Sequence, residues 1–196
     1  MYKRFFDIIF SFLGLLILSP LLLIISIFIF LDSRGGVFYL QQRVGRNNLD
    51  FFIYKFRTMN ISADSQGLLT VGAKDARVTR VGYFLRKYKL DELPQLINVL
   101  KGEMSFVGPR PEVRKYVNYY SSEQMQVLSV NPGITDYASI KYSNESELLA
   151  KAEEPEKFYI ETILPVKLKL NLKYMEEQSF WKDIGLIFFT VKKILK

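Results

Sequence analysis

Cysteine and histidine are both absent from these 196 residues. Without thiols there is no disulfide framework, no thiolate nucleophile and no cysteine zinc site. Without imidazole the commonest acid/base group and metal ligand is missing as well. The chain also lacks a Gly-rich phosphate loop of the Walker or dinucleotide type, an internal repeat and a low-complexity linker. Any enzyme built from it works with carboxylates, Lys, Arg, Tyr or Ser, helped by a hard metal.

What is present is basic and apolar. Lys and Arg number 27 against 20 Asp and Glu, a formal charge of +7. That excess predicts anionic company, whether nucleic acid, lipid headgroups or phosphorylated small molecules. The length suits one soluble domain plus the N-terminal segment. Aromatic residues make up 15% of the chain, which argues against disorder and suits a core or a membrane interface.

From Ile8 to Leu31 there are 24 consecutive residues without a charge, enough to cross a bilayer core of about 30 Å. A cleaved signal peptide does not fit, because the stretch is too long and LDSRGG lacks a small-x-small cleavage pattern. Ser19-Pro20 lies near its centre. A proline there removes one helical hydrogen bond, and the serine hydroxyl is a candidate partner for the freed carbonyl. Both flanks are basic, with Lys3 and Arg4 before and Arg34, Arg43 and Arg46 after, and such residues prefer the cytoplasmic side. Two readings are open: a kinked single span, or a re-entrant hairpin with both ends cytoplasmic. Asp7 reads as a helix cap or a headgroup contact in either.

Beyond Gly35-Gly36, VFYLQQRV and FFIYKFRTM are β-branched and aromatic runs separated by Gly45-Arg46-Asn47-Asn48, a hairpin signal. Lys55 and Arg57, two apart, share one face of the second strand. Asn60 to Lys74 reads as a loop and Arg77 to Lys89 as a helix. A further helix begins near Asp91, with Leu93, Leu96, Ile97 and Leu100 on its buried face and Lys101-Gly102 at its end. SFVGPRPE carries prolines at 109 and 111 that restrict the backbone around Arg110. Asn131-Pro132-Gly133 is a turn, and Glu145 to Glu177 is helical in tone with interruptions at Pro155 and Pro165. The tail is an amphipathic helix with Phe180, Trp181, Ile184, Ile187, Phe188, Val191 and Leu195 on one side, suited to packing or to a membrane surface.

Asp91-Glu92 taken alone is most cheaply read as helix N-terminal chemistry. Its neighbours change the weighing. Arg86, Arg110, Lys55 and Arg57 supply forks and point charges that hold phosphate oxygens. Carboxylates with such cations suit a diphosphate and Mg²⁺, which binds through one or two carboxylates plus substrate phosphates. The bland alternative is a set of solvated surface ion pairs.

The segments KRFFDIIFS, the central SP, QQRVGRNN, YKFRTM, LDELPQLINVLKGEMSFVGPRP, NPGIT and YMEEQSFWKDI, in that order, resemble the bacterial sugar transferases called monotopic phosphoglycosyl transferases. The likeness runs from about residue 2 to 190, and the LDELPQL to VGPRP block is its most specific part. The resemblance implies an α+β, mainly helical fold: a re-entrant membrane helix-break-helix over 1–34, joined to a compact cytosolic domain over 35–196 with a small β-hairpin and amphipathic interfacial helices. It implies a two-step transfer of a phosphosugar from a UDP-sugar to polyprenyl phosphate at the bacterial inner membrane, with Mg²⁺. Asp91 matches the nucleophile and Glu92 its partner, both near the metal; Arg86 and Arg110 match phosphate-binding arginines.

The chain is expected to be of the small, core-only class, with Asp183 a possible support for the site or a helix-surface charge. It departs from the pattern at Asp136-Tyr137, where many members carry Gly-Trp, so sugar identity does not carry over. A non-catalytic, membrane-anchored adaptor with a basic lipid- or partner-binding face is the alternative from another class. No nucleic-acid module is recognised, and nothing in the sequence sets an oligomeric state.

Overall fold

The computed structural model describes residues 2–61, 63, 67, 69–72 and 75–194. It is mostly helical, with one long apolar helix at the N-terminus and two small sheets. Helix α1 (Tyr2–Asp32) is continuous through Pro20. Pro20 has no N–H to give the carbonyl of Leu16, four residues back, and the Ser19 hydroxyl donates to that oxygen at 2.8 Å. The chain is thus helical on both sides of Pro20, where a break is expected. Helix α1 is long and apolar enough to cross a membrane, and only 11% of its most apolar stretch is buried by the rest of the protein.

Both ends of α1 are tied to the folded domain. At the start, Lys3 donates to the Val107 carbonyl (2.8 Å), the Tyr174 hydroxyl (2.8 Å) and the Asp183 carboxylate (2.6 Å). Arg4 donates to the carbonyls of Val99 (2.5 Å) and Leu100 (2.8 Å). Asp7 is neither a cap nor a headgroup contact: it is buried and accepts from the Ser105 hydroxyl and the Phe106 amide, both at 3.2 Å. At the far end, Asp32 accepts from the Val81 amide at 3.1 Å, while Ile25 and Ile29 are buried with Phe56 and Leu85. Residues 2–34 thus share their packing with Phe56, Val81 and Leu85, with Val99, Leu100, Ser105 and Phe106, and with Tyr174 and Asp183.

Strands β1 (Phe38–Val44) and β2 (Asp50–Phe56) form the expected antiparallel hairpin, in register from Phe38 opposite Phe56 to Val44 opposite Asp50. Its turn is closed by the Gly45 amide to the Leu49 carbonyl (2.8 Å). Asn47 and Asn48 take the left-handed conformation there (φ 57° and 62°), which asparagine tolerates better than most residues. Helix α2 (Arg80–Lys87) starts at Thr79, whose hydroxyl accepts from the Gly82 amide at 3.0 Å. A side chain at Gly82 would meet the Thr58 carbonyl at 2.1 Å, so the hairpin's exit and α2 touch backbone to backbone.

Helix α3 (Gln95–Lys101) ends at Gly102, in the left-handed region at φ 89°. Its buried face differs from the expected stripe: Gln95, Leu96, Asn98 and Val99 are buried, while Leu93, Ile97 and Leu100 are only half-buried. Asn98 explains the rotation. Its amide accepts from the Tyr54 N–H and donates to the Phe52 carbonyl and to Glu103, so the helix turns a polar residue onto β2.

A second sheet escaped the sequence reading. Strand β3 (Ser105–Val107) pairs in parallel with β4 (Gly133–Thr135), which the sequence presents as the sequel to a turn. Between them run α4 (Arg114–Val117) and a 3-10 run over Gln124–Ser129. Parallel pairing requires such a crossover. Helices α5 (Tyr137–Lys141), α6 (Glu145–Ala150), α7 (Pro155–Phe158), a π turn (Tyr159–Ile163) and α8 (Leu164–Glu177) follow. Pro155 sits in the first turn of α7, where a missing N–H costs nothing, and Pro165 lies where the π turn runs on into α8. The largest core joins Val113, Tyr116, Val127 and Leu149 to Tyr159, Ile163, Leu164 and Leu168.

Helix α9 (Phe180–Ile194) packs through Asp183 and Leu186, whereas Trp181, Phe188 and Phe189 are at least 60% exposed. Its largest apolar side chains therefore point away from the protein. Leu195, expected on the same side, lies outside the described residues, as does part of the loop expected over 60–74.

Candidate active site

The dyad sits between two helices rather than on one. After α2, Lys89 adopts the left-handed conformation (φ 55°) and turns the chain into a single 3-10 turn, Leu90–Glu92. Pro94 then leads into α3. Neither helix start is capped by an acidic side chain, so Asp91 and Glu92 are not spent on orphan N–H groups. The cheaper reading of the pair loses its support.

Glu92 is engaged by two cations from separate elements. The Arg110 guanidinium, in the loop after β3, forks onto its carboxylate, with Nη1 to Oε2 at 3.1 Å and Nη2 in closer contact with Oε1. Lys55 of β2 reaches Oε1 at 3.4 Å. Burial by itself would raise Glu92, but Arg110 and Lys55 outweigh it and hold the carboxyl well below the usual range. Burial pushes Lys55 below the ordinary ammonium range, and the Glu92 charge draws it back up. The Glu92 charge raises Arg110 further, against burial.

Asp91 is the opposite case. It is buried, 8% exposed, and its Oδ1 has no hydrogen-bond partner. Burial, and next the adjacent Glu92 charge, push its carboxyl above the usual value. A buried acceptor left unpaired costs about 1–3 kcal/mol, more if charged, so it calls for an explanation. Two adjacent carboxylates with environments that drive them apart form a pattern suited to divided roles.

Arg86 approaches from α2. Its Nε donates to the Thr58 hydroxyl at 2.8 Å and its Nη1 to the Thr70 hydroxyl at 3.2 Å. Burial lowers its basicity, and the Asp91 and Asp75 charges oppose that. The structure thus gathers Asp91, Glu92, Lys55, Arg86 and Arg110 around one point.

It does not bring in Arg57 or Asp183. Arg57 donates to the carbonyls of Gly36 (2.5 Å), Arg34 (2.7 Å) and Ser33 (2.9 Å), collecting the chain as it leaves α1. Strand β2 ends at Phe56, so the same-face spacing with Lys55 no longer governs where residue 57 points. Asp183 is buried and accepts from Lys3 and from the Tyr174 hydroxyl at 2.7 Å, so it ties α9 and α8 to the start of α1. Ser19 and Pro20 lie in α1 as described.

Among the described residues no three Asp or Glu side chains converge as a ready metal cage. The unpaired Asp91 oxygen is nonetheless a hard, buried acceptor. Mg²⁺ binds through one or two carboxylates and completes its shell with substrate phosphates and water, so the donor set fits that ion.

The sequence reading passed over Asp136 as a site residue. It is fully buried, accepts the Arg110 main-chain N–H at 3.1 Å, and its other oxygen accepts from the Ser139 amide at 2.6 Å. Its position one residue after the NPGIT turn, at the start of a helix, was the available signal.

The residues assembled here lie in the blocks shared with known proteins. The chain is 38% identical over 196 residues, 98% of its length, to a UDP-N-acetylgalactosamine-undecaprenyl-phosphate N-acetylgalactosaminephosphotransferase of Aeromonas hydrophila, and covers 43% of that protein. It is 39% identical over 198 residues to an undecaprenyl-phosphate glucose phosphotransferase of Komagataeibacter xylinus, covering 97% of this chain and 35% of that one. Against the uncharacterised sugar transferase EpsL of Bacillus subtilis it is 36% identical over 193 residues, 98% of this chain and 87% of the other. It thus spans less than half the length of the first two. The family described as bacterial sugar transferase matches residues 1–196. With both the LDELPQ dyad and the GPRP arginine loop inside that match, the chain belongs to the bacterial sugar transferase family.

Proposed function

We propose that this protein transfers a phosphosugar from a UDP-sugar to polyprenyl phosphate in two steps through a covalent intermediate on Asp91. In the first step an Asp91 carboxylate oxygen attacks the phosphorus that bears the sugar. The anhydride bond between the two phosphorus atoms breaks, and UMP leaves with the electron pair. In the second step a phosphate oxygen of polyprenyl phosphate attacks the same phosphorus, the aspartyl–phosphorus bond breaks, and Asp91 is restored. The products are UMP and polyprenyl-diphosphate-sugar.

The single observation carrying this reading is the buried Asp91 oxygen without a partner, in the field of Lys55, Lys89 and Arg86. Splitting a hard transfer into two displacements suits a carboxylate nucleophile. Lys55, Arg86 and Arg110 offset the repulsion between that carboxylate and a diphosphate. Glu92, kept ionised by Arg110 and Lys55, holds those cations in place. Mg²⁺, when bound at Asp91 and Glu92, would neutralise charge on the phosphates and orient the leaving group. The names of the relatives, with undecaprenyl phosphate as common acceptor, support the acceptor class.

We further propose that α1 enters one leaflet of the cytoplasmic membrane and does not cross it, with 35–196 on the cytoplasmic side. The domain hydrogen-bonds to α1 at Lys3, Arg4 and Asp7 and again at Asp32. A span with its ends on opposite faces of a bilayer would lose one set of those bonds. The outward aromatic side chains of α9 support an interfacial position for that helix. The dyad then lies at headgroup depth, where the phosphate of a long isoprenoid must be.

The test is incubation of the protein with a panel of UDP-sugars, polyprenyl phosphate and Mg²⁺. UMP release with at least one donor is expected, and none with any donor would overturn the reading.

A further inference from the structure

The loop carrying Arg110 is held at successive backbone atoms. The Gly108 amide donates to the Thr135 carbonyl and the Gly133 amide to the Pro109 carbonyl, both at 3.0 Å. A side chain at Gly133 would meet the Gly108 nitrogen at 2.1 Å, so the two chains lie in backbone contact. Past Arg110, the Val44 amide donates to the Glu112 carbonyl at 2.8 Å. At Arg110 itself the main-chain partner is the Asp136 side chain, through Oδ2 at 3.1 Å, while the guanidinium spans Glu92 and the Ile134 carbonyl. Asp136 spends its second oxygen, Oδ1, on the Ser139 amide that opens α5. One fully buried carboxylate thus joins the arginine loop to β4 and α5.

The geometry points to Asp136 as a positioning residue for the transfer reaction: it fixes the main chain of Arg110, and through it the angle at which the guanidinium meets Glu92 and the donor diphosphate. A glycine at this place would offer no such acceptor. Prolines 109 and 111 limit the loop's own torsions. The remaining freedom is rotation of the Arg110 peptide units, and that is what the Asp136 bond removes. Misplacing a positioned charge by about 1 Å can cost up to about a hundredfold in rate.

The inference rests on the proposed transfer, and the experiment separates the two. Asp136→Ser keeps an acceptor for the Ser139 amide, because serine caps helices well, but its single short hydroxyl does not also reach the Arg110 N–H. The expected result is a kcat for UMP release about tenfold lower, with the donor KM changed less than about threefold and a cooperative melting transition retained. Hydrogen exchange at the Arg110 amide should quicken while that at Ser139 stays slow. Combined with Arg110→Lys, Asp136→Ser should add little beyond Arg110→Lys alone, since both act through one side chain. An active wild type whose Asp136→Ser variant keeps full kcat, or effects that simply multiply in the double variant, would overturn the inference. A wild type that releases no UMP from any donor would overturn the functional reading and this inference with it.

Discussion

Asp91 of the acidic pair and Glu112, two residues past Arg110, are carboxylates that the protein treats differently. Glu112 is fully served: Oε1 accepts from Arg43 Nη1 (3.0 Å) and the Val113 amide (2.7 Å), and Oε2 accepts from the Tyr159 hydroxyl. Burial alone would raise it, yet Arg43 and Lys167 bring it below the ordinary value. Asp91 is buried but keeps an oxygen unpaired beside a second negative charge, and is raised. Glu112 has the environment of a carboxylate that holds a fold together. Asp91 has the environment of one held in reserve at a cost in stability, as reactive groups are.

The contrast breaks most visibly at Asp91. Asp91→Asn is expected to lower UMP release by about a thousandfold or more, and to raise unfolding stability by about 1 kcal/mol as the penalty of a buried charge is lifted. Loss of stability in that variant would remove the distinction.

Glu112→Gln should do the reverse, costing about 3 kcal/mol in urea unfolding by leaving Arg43 short of its partner. The sign with pH comes from the lowered value of Glu112. Its contribution is complete above the unfolded carboxylate pKa of about 4.3 and is lost as pH falls through the folded one. The stability gap between wild type and Glu112→Gln should therefore narrow in acid, as followed by urea titration across pH. The smallest effect belongs to Tyr159→Phe, which removes one donor of three and should cost about 1 kcal/mol.

The sequence made the acidic pair, Arg86, Arg110 and Lys55 legible because phosphate chemistry restricts which side chains can occur together. The hairpin was legible from β-branched and aromatic runs around a Gly-Asn turn. Strands β3 and β4 were not, because three residues are too few to display a period of two and their pairing rests on glycine backbone contact. Lys3 and Arg4 read as the basic flank of the apolar segment, Asp7 as a helix cap or headgroup contact, and Asp183 as a support for the site or a helix-surface charge. Only tertiary proximity reveals that Lys3 joins Asp183, 180 residues away. Arg57 misled for a local reason, since the strand geometry linking it to Lys55 stops one residue short. The stripe on α3 misled because the amide of Asn98 completes β2 and is buried in place of an apolar side chain.

The most direct test of Asp91 as the group that takes up the phosphosugar is intact-protein and peptide mass spectrometry after rapid quenching of enzyme with its UDP-sugar, Mg²⁺ and no acceptor. The expected result is a phosphosugar adduct on the peptide containing Asp91, discharged when polyprenyl phosphate is added. Turnover with no adduct, or an adduct on another residue, would contradict that role.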